Sequence, residues 1–188
     1  MAVEENTRTF EVPDDPARRP LRRRSTVRVL VIDDAGRVLL FRDSDPGTGA
    51  TWWITPGGGI DEGESELAAV RRELAEETGL EVAAEQVIGP LAARRVWHGY
   101  SDVVVDQRDT FYAVRTQAFE IDTSGHTEEE QITLQESRWW SRAELADPAG
   151  AVLWPVDLTA FLDLLASPER WPLSLPDVEE SSVPVRPS

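Results

Sequence analysis

The segment from Gly57 to Leu80, GGGIDEGESELAAVRRELAEETGL, constrains this chain most, because it joins a glycine-rich turn to a helix with crowded carboxylates. Glu73, Glu76 and Glu77 have spacings that bring side chains to one face of an α-helix. Equal charges at such spacings weaken a helix by about 0.2 to 0.5 kcal/mol per pair. A cluster that costs stability, with no basic partner on its face, predicts a site for a hard divalent cation.

A simpler interpretation is an ordinary solvated helix face, and the surrounding residues argue against it. The segment resembles the Nudix box, G-x5-E-x7-R-E-U-x-E-E-x-G-U with U apolar, at every specified position. The matching residues are Gly58, Glu64, Arg72, Glu73, Leu74, Glu76, Glu77, Gly79 and Leu80. Chance is a poor explanation for agreement at so many positions over a fixed length.

Local physical chemistry accounts for much of this segment. Ser65 is the predicted N-cap of the helix, and Gly79 is the predicted residue that ends it. Arg72 lies roughly opposite the apolar side of the helix, where its guanidinium could grip Glu64 or Glu76 in a bidentate manner. The stripe that docks the helix onto a core is predicted to comprise Leu67, Val70 and Leu74.

Length and charge restrict the domain organisation and the partners. With 188 residues and 40% hydrophobic content, the chain is predicted to form one domain, residues 21–170. Residues 1–20 are predicted to be a flexible N-terminal tail and residues 171–188 a proline-rich acidic C-terminal tail. A net charge of −16 argues against a nucleic-acid polymer as partner. A small phosphorylated ligand is compatible with it, because a bound cation reverses the local field.

The residue types that the sequence lacks restrict the kind of metal site and the cellular location. Zero cysteines exclude disulfides and thiolate metal sites, so an oxygen-ligand metal is left. The first residues are polar and acidic, and no apolar run approaches the length of about 20 residues that spans a bilayer. These observations predict a cytoplasmic, soluble protein without a membrane partner.

The pattern along the chain alternates strands with a few helices. Strands are predicted at residues 25–32, 37–42, 52–55, 86–97, 110–116 and 138–141, with a loop or a further strand at 102–108. Short helices are predicted at 142–146 and 156–166. This order predicts an α/β fold. The resemblance implies a Nudix-like α/β/α sandwich around a mixed β-sheet over residues 24–166.

A run of arginines precedes the first predicted strand. It could bind an acidic partner or an anionic ligand, and the alternative is a solvated segment beside the domain. Its members are Arg18, Arg19, Arg22, Arg23 and Arg24.

The resemblance implies hydrolysis of a phosphoanhydride bond in a nucleoside diphosphate linked to another moiety, with Mg²⁺ as cofactor and Mn²⁺ as a substitute. The expected substrate is a small phosphorylated nucleotide, either a nucleoside triphosphate or a nucleotide sugar. Glu73 and Glu77 are the expected direct metal ligands, with Glu76 as a further ligand and a carbonyl of Gly57 or Gly58 as a backbone ligand. Glu64 is expected to brace the loop and helix.

The general base is either a box glutamate or an acidic residue of the segment 126–136, where Glu130 is chosen. The predicted catalytic group thus comprises Glu73, Glu76, Glu130 and Arg72. Arg42 is assigned to phosphate, and Trp97 and Tyr100 are assigned to stacking on a base or ring, although aromatic residues in strands more often belong to the core. The rival hypothesis is a non-catalytic Nudix-like domain that binds a nucleotide and has a regulatory role. A homodimer is left open.

Overall fold

The computed structural model describes residues 8–185, and these form a mixed α/β fold. The strands are β1 (Leu21–Ile32), β2 (Val38–Asp45), β3 (Ala50–Ile54), β4 (Val87–Gly99), β5 (Val104–Arg115), β6 (Glu136–Trp140), β7 (Leu153–Trp154), β8 (Leu173–Ser174) and β9 (Val178–Glu179). The helices are α1 (Glu66–Thr78), α2 (Glu128–Thr133), α3 (Arg142–Ala146) and α4 (Leu158–Leu165), and short 3-10 turns lie at Pro16–Arg18, Ala84–Gln86 and Pro168–Arg170.

One sheet contains all the strands, in the order β7-β3-β2-β1-β5-β4-β8, with β6 added to β2 and β9 added to β4. Its centre is a long parallel pair, β1 with β5, in register from Leu21 opposite Val104 to Ile32 opposite Arg115. The neighbouring β4 and β5 are antiparallel. The sheet is therefore mixed, and the predicted α/β fold around a mixed sheet is confirmed.

Helices cover both faces of this sheet. Val70 and Leu74 of α1 pack on one face against a cluster that includes Val29 of β1. On the other face, the ring of Phe161 in α4 lies 4.4 Å from that of Phe111 in β5. This arrangement buries the parallel pair on both sides, as such strands require.

The ends of α1 follow the sequence prediction. Ser65 Oγ accepts a hydrogen bond of 3.2 Å from Ala68 N, and Gly79 ends the helix with φ of 74°, which a residue without Cβ adopts without strain. The predicted docking stripe was wrong at Leu67, which is 37% exposed. The face of α1 that meets the sheet is instead completed by Glu73 and Glu77, both of which are buried.

Three other elements differ from the sequence prediction. β1 begins at Leu21 and so includes three of the arginines, since its pairing with β5 extends that far. Residues 104–108 belong to the same strand as the predicted strand 110–116, and together they form β5. The acidic segment 126–136 contains the short helix α2, which Thr127 caps. A capping pattern of Thr followed three residues later by Glu explains this helix.

The segment after residue 172 pairs with β4, which differs from the loose end that its prolines predict. β8 and β9 bond in parallel to β4, because the edge of β4 offers unpaired backbone groups. Arg19, from the opposite end of the chain, donates hydrogen bonds to the carbonyls of Tyr100 and Val183. Residues 1–7 and 186–188 of the predicted tails lie outside the described residues, and the predicted domain limits stay a prediction.

Across residues 8–185, none of the helices combines the length and the apolar character needed to cross a bilayer.

Candidate active site

Three carboxylates from two helices meet at one place. Glu73 and Glu77 of α1 and Glu130 of α2 can each offer one oxygen so that all three oxygens lie within 4.8 Å of one another. The two glutamates of α1 are only 5% and 6% exposed. Carboxylate oxygens at this spacing are the donor set that a hard cation such as Mg²⁺ or Mn²⁺ requires, and the cluster therefore fits the predicted metal.

The glycine turn before α1 holds one of these carboxylates through its backbone. Gly57 N donates a hydrogen bond of 2.7 Å to Glu77 Oε2. Gly57 has φ of 127°, and a Cβ there would lie 2.2 Å from the carbonyl oxygen of Val27. A Cβ on Gly58 would lie 2.6 Å from Glu73 Oε1. The turn therefore excludes a side chain at Gly57, where the close atoms are backbone of β1, and a side chain at Gly58 would displace the carboxylate of Glu73.

The turn is also bonded to β1. Val27 N donates to Gly58 O at 3.0 Å, and Val29 N donates to Pro56 O at 2.8 Å. Arg28 Nη1 donates to Gly57 O at 3.0 Å. The two glycine carbonyls predicted as metal ligands therefore each accept one hydrogen bond already, and each keeps a second lone pair.

Arg72 organises the carboxylates from the solvent side. Its Nε and Nη2 donate to the two oxygens of Glu64 at 3.0 and 2.8 Å, which is the predicted bidentate grip. Its Nη1 donates to Glu73 at 2.8 Å and to Glu76 at 3.1 Å, while Nη2 also reaches Gly59 O at 2.7 Å. The guanidinium holds the pKa of Glu64 below its usual value. The guanidinium of Arg72 thus links the loop that carries Glu64, the glycine turn and helix α1.

Burial changes the acidity of the two glutamates on α1. Burial raises the pKa of Glu73 to about 7, although Arg72 acts in the opposite direction. Burial, followed by the charges of Glu73 and Glu130, raises the pKa of Glu77 well above its usual value. Carboxylates that are costly to ionise in the protein alone become favourable when a cation neutralises them.

This shift predicts how stability depends on pH without a metal. The carboxyl of Glu73 ionises near 4.5 in the unfolded chain and near 7 in the folded protein, so folding loses stability as pH rises through this window. We expect Glu73→Gln to raise the melting temperature of the EDTA-treated protein more at about pH 7.5 than at about pH 5.

Differential scanning calorimetry measures this effect, with the exposed Glu81→Gln as control. An equal change at both pH values for Glu73→Gln would contradict the account.

The three carboxylates line a cavity of about 200 Å³ together with a group of arginines. Arg8, Arg22, Arg24 and Arg28 all line it. The last three alternate along β1, and an even spacing places side chains on one face of a strand. The cavity therefore contains both carboxylates suited to a cation and guanidinium groups suited to an anion.

Arg8 reaches this cavity from the N-terminal segment. Its Nε donates to Asp102 Oδ2 at 2.8 Å, and its guanidinium carbon lies 4.4 Å from the ring centre of Tyr100. Tyr100 is itself buried and also lines the cavity. Ion pairing and a cation–π contact thus fix Arg8 in the cavity wall.

The structure brings together only part of the predicted site. Glu73, Glu77, Glu130, Gly57, Gly58 and Tyr100 line the cavity. Arg42, Trp97 and Glu76 do not. Arg42 is paired with Glu136 at 3.3 Å, on the face of β2 opposite the cavity-lining Asp43.

Trp97 and Glu76 have other partners. The guanidinium of Arg95 lies 4.7 Å from the ring centre of Trp97. The side chain of Glu76 is 40% exposed and bonds to Arg72 on the outer side of α1. Arg72 likewise stands outside the cavity lining and reaches the cavity through Glu73.

The charged lining residues that the sequence did not reveal include Arg8, Arg28 and Asp43, and Arg22 and Arg24 were not assigned to the site. The available signal was the spacing of Arg22, Arg24 and Arg28, which places three cations on one face of a strand. No local signal identifies Arg8, because its partner Asp102 is 94 residues away.

The geometry agrees with comparisons to known proteins. The family model described as NUDIX domain matches residues 22–160. The chain belongs to the Nudix family, and the predicted family is confirmed.

The relatives are named RNA pyrophosphohydrolase. The relative from Acidiphilium cryptum (strain JF-5) is 33% identical over 144 residues, which cover 69% of this chain and 80% of that protein. The relative from Dinoroseobacter shibae (strain DSM 16493 / NCIMB 14021 / DFL 12) is 37% identical over 98 residues, 46% of this chain and 59% of that protein. The matched part of this chain therefore spans under two thirds of the second relative.

Solved structures support the fold. The Escherichia coli dihydroneopterin triphosphate pyrophosphohydrolase superposes with a TM-score of 0.57 at 19% identity, over 79% of this chain and all of that chain (100%). A MutT protein from Methanosarcina mazei Go1 gives a TM-score of 0.54 at 20% identity, over 81% and 98% of the two chains. At such identities the likeness concerns the fold alone.

Proposed function

We propose that the protein is a Mg²⁺-dependent pyrophosphohydrolase that cleaves a phosphoanhydride bond in a nucleotide 5′-polyphosphate. The observation that carries this proposal is one cavity lined both by three clustered carboxylates and by four arginines. A chain of linked phosphates needs both, because a cation and guanidinium groups can share its negative charge.

Each group has a role in this proposal. Glu73 and Glu77 would hold the cation, Glu130 would face it with an oxygen within 4.8 Å of theirs, and Arg72 aims Glu73. The cation, when bound, neutralises the polyphosphate and polarises the phosphorus under attack. A water oxygen attacks that phosphorus, the anhydride P–O bond breaks, and Glu130 accepts the proton of the water. Arg22, Arg24 and Arg28, which line the same cavity, hold the phosphate oxygens.

Two substrate classes follow from different observations. The net charge of −16 favours a free nucleotide, such as a nucleoside triphosphate or a nucleotide sugar. The names of the relatives favour the 5′-triphosphate end of RNA. We propose the 5′-triphosphate end of RNA on the names of these relatives, and the arginines that line the cavity supply local positive charge for its phosphates in a protein that is acidic as a whole. The cytoplasmic location stays a prediction.

A substrate panel tests this proposal. Phosphate and pyrophosphate release is measured with Mg²⁺ for a 5′-triphosphate RNA oligonucleotide, a nucleoside triphosphate and a nucleotide sugar. Faster release from RNA supports the proposal, and faster release from either small nucleotide contradicts the choice of substrate. Nucleotide binding without release from any substrate would favour the non-catalytic regulatory domain.

Arg72 provides a prediction specific to this proposal. We expect Arg72→Lys to lower kcat/KM about 10- to 100-fold, because lysine cannot reproduce the fork that joins Glu64 and Glu73. Arg71→Lys, on the same helix, is the matched control, since Arg71 donates to Val82 O away from the cluster. Steady-state kinetics measure both, and similar values for the two variants would contradict the role of Arg72.

A further inference from the structure

The third carboxylate of the cluster, that of Glu130, must be positioned by contacts other than those within α1. Glu73 and Glu77 share one helix, so the geometry of α1 fixes their spacing. Glu130 belongs to α2, a helix of 6 residues that follows an irregular segment. Nothing in α1 itself determines where Glu130 stands.

The segment before α2 is attached to the end of α1. Asp122 N donates to Thr78 O at 3.1 Å. His126 Nε2 lies 3.0 Å from Glu77 O, and because a carbonyl only accepts, this nitrogen carries the hydrogen and donates. The carbonyl is one of those that the end of a helix leaves without a partner. A Cβ on Gly125 would lie 2.5 Å from Glu76 O, so the two backbones are in direct contact.

The next residue fixes the carboxylate of Glu130. Thr127 N donates to Glu130 Oε2 at 2.7 Å, and Glu130 N donates to Thr127 Oγ1 at 3.3 Å. This capping box holds one carboxylate oxygen at the start of α2. His126 and Thr127 are adjacent, so the chain passes from the end of α1 to the carboxylate within five residues, 126–130.

We propose that His126 and Thr127 are positioning residues that together fix Glu130 against Glu73 and Glu77. His126 sets the distance between the two helices, and Thr127 sets the direction of the carboxylate. The proposal rests on the proposed function in that it takes the cluster as the cation site. It adds two residues that touch neither the cation nor the reacting atoms in that function.

A double-mutant cycle tests whether His126 acts through Glu130. His126→Phe keeps a ring beside Phe41, whose centre lies 5.9 Å away, and removes the donor. Titration calorimetry measures the Kd of Mn²⁺ alone for His126→Phe, Glu130→Gln and the double variant. We expect each single change to raise the Kd of Mn²⁺ about tenfold. The double variant should match Glu130→Gln, because the carboxylate that His126 positions is already absent from it.

The cap has a matched control elsewhere in the chain. Ser141 and Glu144 form the same capping box at α3, with the same two bonds at 2.8 and 3.3 Å. We expect Thr127→Ala to raise the Kd of Mn²⁺ about tenfold and Thr127→Ser to restore it. Ser141→Ala is expected to lower the melting temperature and to leave the Kd unchanged.

The outcomes separate this proposal from the proposed function. Additive effects in the cycle, or a wild-type Kd for His126→Phe, overturn the positioning role while cation binding by the wild type still supports the function. A wild-type Kd for Glu130→Gln overturns it too, because Glu130 would then not face the cation. A wild type that binds Mn²⁺ with the expected coupling and hydrolyses no nucleotide supports the positioning role and contradicts the function.

Discussion

Replacement of Glu77 by glutamine is expected to lower kcat on the order of 10³-fold while raising the melting temperature of the metal-free protein. Glutamine has nearly the same shape, and its carbonyl oxygen can keep the 2.7 Å hydrogen bond from Gly57 N. It cannot supply the negative charge that holds a divalent cation. Removal of a buried carboxyl that resists ionisation also removes a cost of folding.

Glu81→Gln is the matched control, because Glu81 is exposed and follows the same helix. Phosphate release and thermal denaturation are measured for both variants in the presence and absence of Mg²⁺. A Glu77→Gln protein that is as active as the control would remove this carboxylate from the mechanism. A variant that is inactive and less stable than the wild type would indicate a structural role instead.

The second large effect is expected at the glycine turn. Gly57→Ala should lower the free energy of unfolding by about 2 to 6 kcal/mol, since strained backbone and overpacking each cost about 1 to 3 kcal/mol. The strain arises at φ of 127°, and the overpacking arises from the Val27 carbonyl oxygen, 2.2 Å from the added Cβ. This atom belongs to β1 and cannot rotate away.

Gly36→Ala separates the two costs. Gly36 also has a positive φ, 74°, but an added Cβ there has nothing within 4 Å. Its expected loss is about 1 to 2 kcal/mol, from the backbone alone. Urea denaturation measures both variants. Equal losses would mean that the turn does not press against β1, and the close approach that aims Gly57 N at Glu77 would be in doubt.

The helix half of the site could be predicted because its determinants are local. Ser65 and Gly79 define the ends of α1, and helical spacing alone brings Glu73 and Glu77 together. The same spacing rule predicted that Glu76 would join them at the metal site, but Glu76 does not line the cavity. Which of the three closely spaced glutamates faces the cavity depends on how α1 packs on the sheet. Glu76 points outward and bonds to Arg72.

The other half depends on contacts between distant segments. Glu130 was one of several acidic residues in its segment, and the attachment of His126 to the end of α1 selects it. Arg28 enters the site because β1 pairs with β5 and bonds to the glycine turn. Such contacts join residues far apart in the chain, and no spacing rule within one element reveals them.

Trp97 shows that residue type alone does not predict which aromatic side chain lines the cavity. An aromatic residue in a strand is equally suited to stacking on a ligand and to packing beside a guanidinium, and here it lies against Arg95. Tyr100, three residues later, reaches the cavity because it follows the end of β4 and lies under Arg8. The difference between them is one of position, with Trp97 inside β4 and Tyr100 just beyond its end, and residue type does not encode position.

The proposed function requires that Glu73, Glu77 and Glu130 bind a divalent cation together with the linked phosphates of the substrate. Titration calorimetry with Mn²⁺ in the presence of methylenediphosphonate, which water does not cleave, tests it most directly. The account predicts saturable Mn²⁺ uptake by the wild type that Glu77→Gln weakens strongly and Glu81→Gln leaves intact. Absence of uptake by the wild type, or equal uptake by Glu77→Gln, would contradict it.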